Sequence, residues 1–224
     1  MTAPKLRSPY FDEVSAVLLD FDGPVTALMP APMNRHVADQ ARAALAAHDT
    51  VPPEPVASTS DHLAVLRWAG EHLPAAVEDV ETACVAAEVT AARTTPLTTG
   101  AHDLLHACRG AGVPVVVVSN NAASAVEVFL AAQGLADLVQ EVLGRPLNQP
   151  ELMKPHPHLV QRALAAASVD PASAVLVGDS VSDVVVAHAA GVRAIGFAKH
   201  ERRGRELREA GADFIVTSMV DLTR

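Results

Sequence analysis

The chain has 224 residues, half of them apolar but only 3% aromatic, with a formal net charge of −9. That size holds one large domain, or a main domain with a smaller insert, and buries a real core without disulfides. The acidic balance excludes a general nucleic-acid surface, which needs clustered Lys and Arg, and no apolar run approaches the ~18 residues that cross a bilayer.

Asp12 and Glu13 interrupt the N-terminal region before any stretch of signal-peptide length, so neither export nor anchoring is expected. Cys84 and Cys108 fall at apolar positions of helical patterns, which points to buried thiols in a reducing, cytoplasmic setting rather than a disulfide or a metal pair.

In chain order, Ala16–Leu19 is apolar on both faces, as in a central strand of a parallel sheet, and ends in Asp20-Phe-Asp-Gly23. Two carboxylates so close repel, and a hard cation such as Mg²⁺ relieves that. Prolines 24, 30 and 32 take the chain away from the core. A helix is expected from Asn34, as its N-cap, to about His48; a second follows with Ser58, Thr59 or Ser60 as cap; a third starts near Pro74 with Val77, Val80, Cys84, Ala87 and Ala91 on one face. No strand signal occurs between Pro32 and Pro96, so this stretch reads as an all-helical insert.

Thr98 or Thr99 is expected to cap the next helix, which Gly110 and Gly112 end. The β-branched run Val113–Val118 then stops at Ser119-Asn120-Asn121, the start of another helix. A weaker strand over Leu138–Leu143 precedes the loop that delivers Lys154-Pro155, and a helix spans about Pro157 to Ala167. Ala174–Val177 ends in Gly178-Asp-Ser-Val-Ser-Asp183 before a helix, and strands at Arg193–Phe197 and Phe214–Val216 flank a charged helix. The alternation predicts an α/β, doubly wound parallel sheet with its ligand site at the carboxyl ends of the strands.

Four strand or loop ends thus carry polar groups in order: DFDG, VVVVSN, MKP and GDSVSD. The set resembles the haloacid dehalogenase superfamily over nearly the whole chain, and the helical insert resembles the cap of its phosphoglycolate-phosphatase-like and phosphoglucomutase-like branches. The resemblance implies a catalytic core of residues 1–29 and 97–224 with a cap of 30–96, and a Mg²⁺-dependent phosphatase acting on a small phosphorylated metabolite. It implies Asp20 as nucleophile and Asp22 as general acid and base. It also implies Ser119, Asn120 and Lys154 around the phosphate, a metal held by Asp20, Asp179 and the Asp22 carbonyl, and Asp183 either bound to the metal through water or orienting Lys154. Asp183 also reads as a helix cap, and Asn120 as a residue that supports its turn.

The chain departs from the family at Pro24, where Thr or Val is usual, and at Ala27-Leu28, where a polar pair is common; Thr26 partly substitutes. His156 replaces an acidic residue beside the lysine, which suggests a pH dependence near the site. In the cap, Arg35, Arg67, Trp68 and Glu71 are candidates for contact with the leaving group, whereas His102, His106, His156 and His158 read as surface positions rather than metal ligands. A phosphomutase or a catalytically silent binding protein is the alternative. A dehalogenase needs no acid at position 22, and a receiver domain is near half this length and lacks the insert.

Overall fold

The computed structural model describes residues 5–223. Its strands are β1 (Ala16–Leu19), β2 (Val115–Val118), β3 (Glu141–Leu143), β4 (Ala174–Gly178), β5 (Arg193–Phe197) and β6 (Phe214–Val216). They form one parallel sheet in the order β3-β2-β1-β4-β5-β6. The chain moves outward through β2 and β3 on one side of β1, then returns to β4 on the other. This reversal between β1 and β4 is the switch point where a doubly wound sheet opens a crevice.

The helices are α1 (Met33–Ala46), α2 (His62–His72), α3 (Val77–Ala92), α4 (Ala101–Ala111), α5 (Ala123–Ala132), α6 (His158–Ala167), α7 (Val181–Ala189) and α8 (Glu201–Glu209). Strand side chains alternate between two cores. Val17, Leu19, Val115, Val117, Val175 and Val177 pack against α4 and α5, whereas Leu18, Val116, Val118 and Leu176 pack against α6, α7 and α8. All four β1 residues are fully buried, so truncating Leu18 to Ala removes roughly 2–5 kcal/mol.

Helices α1, α2 and α3 form the insert and have a core of their own, in which Leu45, Leu66, Val80 and Cys84 meet Met153 from the sheet domain. The two connecting segments run side by side. Thr26 donates its hydroxyl to the Pro96 carbonyl at 2.8 Å, Thr95 to the Leu28 carbonyl at 3.3 Å, and Thr98 to the Gly23 carbonyl at 2.8 Å. Thr26 thus fastens the segment that begins at Pro24.

Several expected caps differ from the observed ones. Pro32, not Asn34, precedes α1, and the Asn34 side chain accepts from its neighbour Arg35. Asp61 caps α2, because its carboxylate accepts the Leu63 N–H while Ser58, Thr59 and Ser60 stand outside. Gly100 precedes α4 in a left-handed turn, which frees the Thr98 hydroxyl for Gly23. Ala122 stands at the N-cap of α5 with no side-chain cap bond. Both cysteines are buried and free, their thiols pushed up to about 12 by loss of solvent.

Candidate active site

Register brings the polar turns to one edge. Leu19 pairs with Val117 on one side and Val177 on the other, so Asp20, Ser119 and Asp179 all leave the sheet near the switch point. The Asp20 N–H donates to the Val177 carbonyl at 2.9 Å, which continues the ladder one residue beyond β1. Gly23 has φ of +109°, and a Cβ there would stand 2.2 Å from Asp179 Oδ2. A side chain at either Gly23 or Gly178 would invade the site, since a Cβ on Gly178 would lie 2.4 Å from the Asp183 carboxyl.

Lys154 is the hub. Its side chain is nearly fully buried, and Nζ donates to Asp20 Oδ1 at 2.8 Å, Asp183 Oδ1 at 2.7 Å and the Val118 carbonyl at 2.8 Å. Burial disfavours the ammonium, but the charges of Asp183 and Asp20 more than offset this and hold it above the usual lysine range. Its backbone is fixed as firmly: Asn120 Oδ1 accepts the Lys154 N–H at 2.7 Å, and Asn120 Nδ2 donates to the Lys154 carbonyl at 3.1 Å.

Asp183 makes two kinds of contact. It completes a capping box with Ser180 at the start of α7, accepting the Ser180 hydroxyl at 2.6 Å, and its other oxygen holds Lys154. Ser119 is fully buried; its hydroxyl donates to Asn121 Oδ1 at 3.2 Å and accepts the Asn121 N–H at 3.0 Å, shaping the turn. Asn120 and Asn121 line the cavity.

One buried cation does not neutralise this many carboxylates. Burial, and then the charge of Asp183, raise Asp20 well above the usual range. Burial and the charges of Asp183 and Asp22 push Asp179 up to about 7, with Lys199 Nζ standing 3.9 Å away. Asp22 keeps surface open to the cavity, yet protein encloses it on most sides and that loss of solvent raises it too. One of its oxygens accepts the Leu28 N–H at 3.0 Å. Asp20, Asp179 and Asp183 each present an oxygen within 4.8 Å of the others. Hard oxygen donors carrying excess negative charge fit a divalent cation such as Mg²⁺.

The carboxylates open into a cavity of about 440 Å³, closed from the insert by Asp61, Leu63 and Arg67 and from α8 by Arg203. Of the insert residues expected to meet a substrate, Arg67 lines this cavity. Arg35 and Glu71 are exposed outside it, and Trp68 stacks on His72. His156 is exposed and faces a neighbouring depression with Glu71 and Pro155, so it does not adjoin the carboxylates. His102 and His106 lie together on the exposed face of α4.

A group absent from the sequence reading lies next to the site. Arg145, Glu81, Glu88 and His62 are all buried between the insert and the sheet domain. Arg145 Nε donates to Glu81 Oε1 at 2.7 Å and Nη1 to Glu88 Oε1 at 2.7 Å, while His62 Nε2 lies 2.8 Å from the same Glu88 oxygen. The available signal was the seven-residue spacing of Glu81 and Glu88, which puts both on the apolar face of α3.

A family model for haloacid dehalogenase-like hydrolases matches residues 14–191. A phosphoglycolate phosphatase of Haemophilus influenzae is 29% identical over 111 residues, 50% of this chain and 49% of that protein. The pyrophosphatase PpaX of Bacillus pumilus is 30% identical over 120 residues, 54% of this chain and 55% of that protein. The chain therefore spans about half the length of these curated relatives. Among solved structures, CbbY of Rhodobacter sphaeroides in complex with phosphate has a TM-score of 0.69 at 21% identity, covering 93% of this chain and 96% of that one. A predicted phosphoglycolate phosphatase from Haemophilus somnus has a TM-score of 0.66 at 20% identity, covering 94% and 96%; at such identities the likeness is one of fold. The match over residues 14–191, together with the ordered carboxylates and lysine at the switch point, establishes that the chain belongs to the haloacid dehalogenase-like hydrolases.

Proposed function

We propose that the protein is a cytoplasmic Mg²⁺-dependent phosphatase that hydrolyses a small phosphomonoester through an aspartyl-phosphate on Asp20. The observation that carries this reading is the Lys154 ammonium held between Asp20 and Asp183 at the edge of an over-acidic cavity. We divide the chain accordingly into a core of 1–29 and 97–224 and a cap of 30–96.

Asp20 attacks phosphorus, the bond to the leaving oxygen breaks, and a carboxylate thereby divides one difficult displacement into two. Asp22 gives a proton to the leaving oxygen; its raised pKa suits a group that must hold a proton first and take one later. In the second half, Asp22 accepts a proton from water, water attacks the phosphoryl group, and inorganic phosphate leaves with Asp20 restored. Lys154 places a fixed positive charge beside the transferring oxygens, and Asn120 and Asn121 of the turn that Ser119 shapes supply polar groups around them. A divalent cation bound by Asp20, Asp179 and the Asp22 carbonyl would neutralise phosphate charge that these carboxylates otherwise repel.

The relatives named as phosphoglycolate phosphatases support a small phosphorylated metabolite as substrate, and we assign contact with its leaving group to Arg67 of the cap, which lines the cavity. No helix among the described residues is long and apolar enough to cross a membrane. The test is Mg²⁺-dependent release of inorganic phosphate from an aryl phosphate, followed by a panel of phosphorylated metabolites. Activity lost in Asp20→Asn supports the reading; no release across the panel overturns it, and an isomerised phosphosugar without free phosphate identifies a mutase.

A further inference from the structure

The buried group beside the site does more than pair charges. Arg145 follows β3, and its backbone N–H donates to the Asn121 carbonyl at 3.1 Å while its side-chain Nη1 donates to the Asn120 carbonyl at 3.0 Å. One arginine therefore holds two successive carbonyls of the turn after β2. That same guanidinium grips Glu81 and Glu88 of α3. Glu88 is wholly enclosed and also accepts the Ala122 N–H at 2.8 Å, at the positive end of α5.

The contacts continue inward without a gap. Asn120, whose carbonyl Arg145 holds, clasps the Lys154 backbone through both its amide nitrogen and its amide oxygen. Lys154 in turn reaches Asp20. The pathway from Glu88 to Arg145, Asn120, Lys154 and Asp20 consists of hydrogen bonds of 2.7–3.1 Å.

We propose that Arg145 is a positioning residue that transmits the seating of the insert, through Asn120, to the placement of Lys154 against the nucleophile. The inference rests on the reading of Lys154 as the residue that holds the transferring oxygens. Its physical basis is the planar fork of arginine, which satisfies two carboxylates and a carbonyl at fixed angles. Lysine carries the same charge but has no fork. With Lys at 145 the carboxylates keep a counter-charge, whereas the Asn120 carbonyl loses its fixed donor and the turn gains freedom. A sub-ångström displacement of a charge that acts in the transition state lowers kcat more than it raises KM.

The experiment is a double-mutant cycle on aryl phosphate hydrolysis with Arg145→Lys, Asn120→Ala and the pair, each variant shown to be folded by its thermal melt. Each single variant should lose about 10- to 100-fold in kcat with KM within about twofold, and the double variant should lose no more than the worse single one. Losses that multiply, a rise in KM with kcat kept, or Arg145→Lys kinetics equal to wild type would overturn the proposal. If Arg145→Lys does not fold, Glu81→Gln takes its place, with a smaller kcat loss and the same non-additivity expected. A cluster so intolerant that neither variant folds acts through stability, which also overturns it. Lys154→Met separates the two readings. If that variant turns over like wild type, the role of Lys154 falls and the proposal with it; if it is inactive while Arg145→Lys is not impaired, only the proposal falls.

Discussion

The molecule buries charge in two places, and it treats them in opposite ways. Around Lys154, burial, and then carboxylates that outnumber the cations, push Asp20 and Asp179 above the usual range. Around Arg145, burial would also raise Glu88, but the His62 hydrogen bond and the Arg145 charge more than offset it and hold the carboxyl below its ordinary value. Every Glu88 oxygen has a donor. The first cluster retains a deficit of positive charge that a ligand can fill, whereas in the second both Glu88 oxygens are taken up by protein partners. Raised and lowered carboxylates thus distinguish a site kept open for chemistry from a joint that holds two layers together.

The sharpest way to break this contrast is through the open cluster. Asp20→Asn should reduce phosphatase turnover below detection, and Asp22→Asn should reduce kcat by about 10²- to 10⁴-fold, both read from phosphate release. Neither should lower the thermal midpoint, because burial already disfavours the charge that each substitution removes; a marked loss of stability would show that the cluster is structural after all.

Removing the cation of each cluster has an effect on stability. Lys154→Met and Arg145→Met each leave buried carboxylates without a counter-charge and should cost about 3–5 kcal/mol in urea unfolding. Added Mg²⁺ should recover part of the loss in Lys154→Met and none in Arg145→Met, since only the first leaves carboxylates in the open cavity. Equal recovery would erase the distinction between the clusters.

A pH titration of stability sharpens the comparison further. A carboxyl with a depressed folded pKa contributes stability above its unfolded value, and that contribution disappears as pH falls through the folded one. For Glu88 the loss should begin near the ordinary value of ~4.3 and continue below it, and Glu88→Gln should flatten this part of the curve. An unchanged acid limb would show that Glu88 is not held by the pairs described. The smallest effect is expected at the exposed His188–Asp213 pair, where Asp213→Asn should cost less than about 1 kcal/mol.

Much of this architecture is legible in the residues because it obeys simple periodicities. The apolar runs ending in Asp20, Ser119 and Asp179 are strands of one sheet, and a polar turn at the end of a buried strand needs only a register to place it. Lys154 is legible through its motif. Arg145 is not, since Gly144-Arg145-Pro146 reads as a loop and its partners are 57 and 64 residues away in sequence. Glu81 and Glu88 sit on the same stripe as Val77, Val80, Cys84 and Ala91, where attention to the apolar members hides a charged pair. The caps fail for another reason. Ser, Thr and Asn near a helix start have several competing acceptors and donors, and at Thr98 a carbonyl across the connecting segments wins.

The adjacency of Leu28 and Thr95, whose carbonyl and hydroxyl meet at 3.3 Å, makes the insert a detour rather than a link in the chain. A segment that leaves and rejoins at one point is exchangeable: evolution or engineering can replace it, and with it the residues it lends to the cavity wall, without altering a single strand register. Arg145 sets the condition on that exchange. A grafted segment must bring carboxylates to the places of Glu81 and Glu88, or the guanidinium beneath it is left buried with no counter-charge.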